Sequence, residues 1–156
     1  QLIAWMKANP DKANFGVPVA RHSDAEIADD AARAVTCAIA MTRELLRMNE
    51  AWAAQGVPTV RMRAGICTGE VVAGCIGSAR RMKYTTIGDV VNTAARLESY
   101  GKEVVPIDPA VPSRVMLAES TVQRLGDAFD VRPVGALQLK GKSTAVNVYH
   151  LQTPLG

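Results

Sequence analysis

The chain has 156 residues, 48% of them hydrophobic and 21% charged, with a net charge of +3, which suits one globular domain able to bury its own core. Aromatic residues make up only 4%, leaving little on which nucleic-acid bases could stack. No apolar run approaches the ~20 residues of a membrane span, and no signal peptide opens the chain. The expectation is a single cytoplasmic domain over residues 1–156, with no nucleic-acid partner and no membrane segment of its own.

Residues 1–13 carry no clear pattern. The stretch NFGVPVAR is a short extended piece ending near His22, and Ser23 to Glu26 reads as a capping box, serine at the N-cap and glutamate three residues on. A long helix follows, with Ile27, Ala31, Ala34, Ala38, Met41, Leu45, Met48 and Trp52 at three- and four-residue steps until Gly56 and Pro58 close it. Val60, Met62, Ala64 and Ile66 alternate with Arg61, Arg63 and Gly65, the pattern of a half-buried strand. After the Thr68-Gly69 turn, Val71 to Ile76 is nearly all apolar and reads as a strand buried on both faces.

Gly77-Ser78 opens a basic loop, and Tyr84 to Ile87 forms a third strand. Asp89 is placed to cap the next helix, its carboxylate accepting from the N–H of Val91 or Asn92. Val104 to Arg114 holds Pro106, Pro109 and Pro112 and reads as a surface loop; a short strand (Val115 to Ala118) and a short helix (Ser120 to Leu125) follow. The end is a hairpin, Val134 to Leu139 and Ala145 to Leu151 around a Lys-Gly-Lys turn. Helices and strands mix irregularly, which makes the class α+β.

Cys37, Cys67 and Cys75 form no CxxC pair and sit among apolar residues; buried free thiols in a reducing compartment are expected. The two histidines, His22 and His150, lack metal-ligand spacing. The basic clusters Arg80-Arg81-Lys83 and Lys140-Lys142 read either as solvated loops or as a site for a small anion such as phosphate. Gly141-Lys142-Ser143 ends like a P-loop, but Ala136 stands where the motif needs glycine and the segment lies in a hairpin.

The helix after Gly88 carries a more pointed arrangement. At about 100° per residue, Val90, Ala94 and Leu97 fall on one face, and Asn92, Arg96 and Ser99 on the other. Asn92 and Arg96, four apart, are surface neighbours. The face can be plain solvated surface. It can also do chemistry: a guanidinium offers a planar fork to phosphate oxygens, an amide orients a sugar oxygen, and a phosphoryl transition state needs mostly positioning and charge stabilisation.

The runs MRAGICTGEVVAGCIGS, YTTIGDVVNTAARLES and LQLKGKSTAVNVYHL resemble, in this order, the catalytic domain of class III nucleotidyl cyclases. The resemblance spans about Asn14 to Leu151 and implies a ferredoxin-like α+β domain with a mixed sheet. It implies conversion of a nucleoside triphosphate, here ATP, to a cyclic nucleotide and pyrophosphate, with two Mg²⁺ or Mn²⁺ ions, in the interface of a head-to-tail homodimer. By position, Asn92 resembles the asparagine that orients the ribose, Arg96 the arginine that stabilises the transition state, and Lys140 the lysine on the terminal phosphates. Thr85 stands at the base-recognition position, as in the bacterial-type subgroup IIIb, whose members are mostly adenylyl cyclases; its hydroxyl can accept from adenine or donate to guanine.

The pattern departs from the family in one place. The family's two metal-binding aspartates lie in a Phe-x-Asp-Ile strand and in an Ile-Gly-Asp turn of the following hairpin, and neither motif stands in its place here. Asp11-Lys12 abuts Ala13-Asn14-Phe15-Gly16 directly, as though the hairpin turn had been cut out, so the first strand and that turn are expected to lie outside this sequence. On that view Lys12 resembles a second base-recognising lysine. Asp89 belongs to a later Ile-Gly-Asp turn and is no metal ligand, so no metal-binding residue is assigned. The resulting expectation is an adenylate cyclase domain fused to a regulatory module; the alternatives are a catalytically inactive cyclase-like dimerisation or nucleotide-binding domain, and a guanylate cyclase.

Overall fold

The computed structural model describes residues 13–19, 27–78, 81–106, 108, 110–138 and 145–152. The capping box at Ser23 to Glu26 lies outside them. In chain order the elements are β1 (Ala13–Val19), α1 (Ile27–Ala53), β2 (Met62–Thr68), β3 (Val72–Ser78), β4 (Arg81–Ile87), α2 (Asp89–Val104), β5 (Ser113–Ala118), α3 (Glu119–Val122), a 3₁₀ turn (Gly126–Ala128), β6 (Val131–Leu137) and β7 (Val146–Leu151). This is the α+β architecture expected, with helices packed on a mixed sheet.

The main sheet has five strands in the order β1-β2-β5-β7-β6. β1, β2 and β5 run parallel, with Gly16 opposite Gly65 and Arg63 opposite Arg114. β7 joins antiparallel to β5 and β6. The period of two along each strand divides the core. Ala64 and Ile66 of β2, with Val115 and Leu117 of β5, pack against Ala31, Val35 and Ala38 of α1. Cys67, Met116, Ala118 and Val148 turn the other way, onto Ala94 and Leu97 of α2. Each fully buried large side chain, such as Ile66, Leu97 or Leu117, contributes about 1.5–3 kcal/mol.

Buried polar groups tie these layers. The Asn49 amide donates to the Val60 carbonyl and accepts from the Val60 N–H, both at 2.8 Å, pinning the end of α1 to the approach of β2. Thr42 donates to the Ala38 carbonyl at 2.8 Å, so the Ser113 hydroxyl supplies the proton of their 2.6 Å bond. The Thr121 hydroxyl accepts from the Thr68 N–H at 3.0 Å and donates to the Ile66 carbonyl at 3.3 Å. Left unpaired, each of these groups would cost ~1–3 kcal/mol.

The two strand expectations exchange places. β2, expected half-buried, is buried along nearly its whole length, because it runs between β1 and β5 with a helix on either face. Its polar side is absorbed: Gly65 lies under α2 and Arg63 pairs with Glu98. β3, expected buried on both faces, instead pairs, among the described strands, only with β4 in a separate two-stranded sheet, and Val72 is 75% exposed. Three smaller corrections follow. Cys37 is exposed while Cys67 is buried. The 104–114 excursion is shorter than expected, since α2 reaches Val104 and β5 begins at Ser113. The short helix begins at Glu119, one residue early.

Candidate functional site

The site is built on α2, and glycines hold that helix in place. A Cβ on Gly65 would lie 2.1 Å from the Ala94 carbonyl oxygen and 2.7 Å from the Glu98 nitrogen, so only glycine lets the backbones of β2 and α2 approach this closely. At the turn after β2, a Cβ on Gly69 would fall 2.6 Å from Val90 Cγ2. The start of α2 therefore rests against the β2–β3 connection, and its middle lies flat on β2.

That seating decides which face is offered to solvent. Ala94 and Leu97 are fully buried and Val90 is packed against their cluster. Asn92, Arg96 and Ser99 are exposed. Asn92 and Arg96 stand about 6 Å apart along the axis, one turn from each other. The helix begins at Asp89 itself, so the expected cap is the first helical residue. An acid there is favoured by the positive end of the helix dipole. Gly88 precedes it and accepts a hydrogen bond from the Val91 N–H at 3.1 Å.

Thr85 lies on β4, half-buried and opposite Gly74 of β3. β4 runs into α2 through Gly88 alone, so Thr85 and the Asn92–Arg96 face belong to one strand–turn–helix unit. Val72 and Ile87, 75% and 55% exposed, lie opposite each other on the Thr85 face of the hairpin, and Tyr84, 70% exposed, is on the other face. Lys12 and Lys140 lie outside the described residues, as do the side chains of Arg80, Arg81, Lys83 and Lys142. Among the described residues no group of three or more His, Cys, Asp or Glu could hold a metal ion.

Three charged residues escape sequence reasoning. Arg63 and Glu98 form an ion pair between β2 and α2, with Glu98 buried. Arg114, expected in a loop, is buried at the start of β5. The available signal is that a strand between two helices must pair its polar residues, which becomes usable only once β2 is known to be central.

The family described as "Adenylate and Guanylate cyclase catalytic domain" matches residues 15–153. Adenylate cyclase 1 of Rhizobium meliloti (strain 1021) is 36% identical over 139 residues, covering 89% of this chain and 19% of that protein. The structure of the adenylyl cyclase CyaB from P. aeruginosa is similar with a TM-score of 0.69 at 31% identity, over 81% of this chain and 60% of that one. The structure of the guanylyl cyclase Cya2 follows at a TM-score of 0.63 and 32% identity, over 79% and 58%. The chain thus spans about a fifth of that curated relative. No helix among the described residues is long and apolar enough to cross a membrane.

Proposed function

The chain belongs to the family of adenylate and guanylate cyclase catalytic domains, and from that membership we propose that it is the catalytic part of an adenylate cyclase, converting ATP to 3′,5′-cyclic AMP and pyrophosphate. In this reaction the ribose O3′ attacks the α-phosphorus as the bond to the departing pyrophosphate breaks. The observation that carries the reading is the seating of α2. One face is locked onto β2 through Gly65, so the other holds Asn92 and Arg96 outward on a rigid element. The Asn92 amide orients the ribose, and the Arg96 guanidinium meets the charge that builds on the phosphate oxygens. Thr85 reads the base by accepting from the adenine amino group, and Lys140 with Lys12 completes the contacts to phosphate and base.

The active unit in this reading is a head-to-tail homodimer. A two-stranded hairpin is at best marginally stable alone, and here it exposes Val72, Tyr84 and Ile87 over its two faces. A second copy covering them would complete the site. The length of the curated relative supports a regulatory module fused to this domain, acting in the cytoplasm. A second reading, guanylate cyclase, is favoured by the likeness to Cya2 and by the ability of the Thr85 hydroxyl to donate to a guanine carbonyl.

Arg96→Ala tests the assignment. Losing a preorganised donor to a developing charge costs about 10²–10³ in kcat. The expected result is that kcat falls by this amount with little change in KM for ATP. An equal loss in ATP affinity would leave Arg96 a binding residue only.

A further inference from the structure

Beyond the α2 face, the described residues contain a second concentration of positive charge. Arg63 of β2 stands opposite Arg114 of β5. On β7, His150 is opposite Met116 of β5 and Arg132 of β6. Residues opposite one another, or two apart on a strand, share a face, so all four side chains lie on the face that carries α2. Glu98 is the acid packed among them, and it is bonded to Arg63.

Arg114 is the anomaly in this row. It is only 3% exposed. Its Nη1 donates to the Val105 carbonyl at 2.5 Å, tying down the segment that leaves α2. Its Nε and Nη2 are buried with no hydrogen-bond partner among the described residues. These two N–H groups point the same way along one edge of the guanidinium, the edge that takes both oxygens of a carboxylate or phosphate. Burial of an unmatched guanidinium is strongly unfavourable. Burial, with Arg63 next to it, depresses the Arg114 pKa, and Glu98 only partly opposes this. Burial, Arg114 and Arg132 in turn hold His150 below the ordinary histidine range.

We propose that Arg114, with Arg63, His150 and Arg132, forms a binding site for a small oxyanion beside Val105, remote in the chain from Asn92 and Arg96. The ligand is a carboxylate or phosphate group that places two oxygens on the Nε–Nη2 edge. The same pair of oxygens could come from an acidic side chain of another chain. Arg114, however, is buried within this one chain and bonded to its own Val105 carbonyl, which favours a free anion.

The test is to follow thermal unfolding and the His150 imidazole by NMR, in inorganic phosphate against chloride at matched ionic strength. His22→Gln assigns the second histidine of the sequence. The site predicts a saturable rise in Tm, roughly 5–10 °C at a hundredfold excess over the dissociation constant. It also predicts a His150 pKa that rises by about one pH unit as phosphate binds. Arg114→Met should remove both responses, and Arg114→Lys, which keeps the charge but not the fork, should weaken binding at least tenfold. The wild-type NMR response stands even if a variant fails to fold. An unmoved His150, an unsaturable Tm rise in phosphate that is alike in wild type and Arg114→Met, or a His150 pKa that rises with protein concentration in chloride would each overturn the proposal.

Discussion

β2 and β3 are consecutive strands of seven residues each, and each contains a glycine at its third or fourth position, yet they live in opposite environments. β2 is enclosed by β1, β5, α1 and α2, and Gly65 has another backbone within 2.1 Å of where its Cβ would be. Among the described strands β3 pairs with β4 alone, and a Cβ on Gly74 would meet nothing within 4 Å. The first strand fixes the helix that presents Asn92 and Arg96. The second carries the opposite number of Thr85 and leaves its apolar residues uncovered. On the proposed reading, the platform for phosphate chemistry is finished within one chain, and the hairpin that would read the base is the part a second copy would support.

The sharpest way to break this contrast is to put the same methyl group in both strands. Gly65→Ala forces a Cβ into the Ala94 carbonyl and the Glu98 nitrogen, neither of which can move without displacing α2. We expect a loss of more than about 4 kcal/mol in denaturant unfolding, the range reserved for a specific structural fault. Gly74→Ala should stay within about 0.5 kcal/mol of wild type. Comparable effects at the two positions would refute the distinction.

A second, smaller effect separates the hairpin from the core. Replacing Val72 and Ile87 by Ser removes apolar surface that is already exposed in one chain, so monomer stability should hardly change. If a second copy buries them, each contributes about 1.5–3 kcal/mol to association, and the dimer dissociation constant should rise by tenfold or more in sedimentation equilibrium. An unchanged constant would place the interface elsewhere.

The smallest effect belongs to His150, on the β7 end of the face that carries α2. Burial first, then Arg114 and Arg132, hold the folded His150 pKa below its ordinary 6.5. The unfolded chain therefore takes up the proton more readily. The contribution is fully present above pH 6.5 and is lost as pH falls from there through the folded value. Stability measured in chloride should decline over that window, and His150→Gln should flatten the decline. A wild-type profile that His150→Gln does not alter would exclude this histidine as the cause.

What was legible in the sequence follows from how local each signal is. The division of α2 into a packed and an open face needs only the 3.6-residue period, and Ala94, Leu97, Asn92 and Arg96 fall as that period places them. The closing hairpin is likewise visible as two apolar runs around a turn, whereas the parallel order of β1, β2 and β5 joins strands distant in sequence and shows only in the structure. Burial of a strand is different, because it depends on neighbours distant in sequence. Arg63 and Gly65 look like the solvent side of β2 until α2 is laid over them and Glu98 reaches Arg63. The apolar run of β3 looks like core, but no strand other than β4 among the described residues pairs with it. Arg114 was hidden by the prolines before it, which mark a loop that in fact ends one residue earlier than the strand's first buried serine. Cys37 shows the same limit on α1: an apolar neighbourhood in sequence does not say which side of the helix a residue takes.

The central claim is that α2 and the β3–β4 hairpin together make cyclic AMP from ATP. The most direct measurement incubates the whole protein, at micromolar concentration and with Mn²⁺, with ATP and GTP in separate reactions, and quantifies both cyclic products. The account predicts cyclic AMP well in excess of cyclic GMP, lost on Arg96→Ala. No cyclic product from either nucleotide would contradict the enzymatic reading, and a predominance of cyclic GMP would contradict the assignment of ATP.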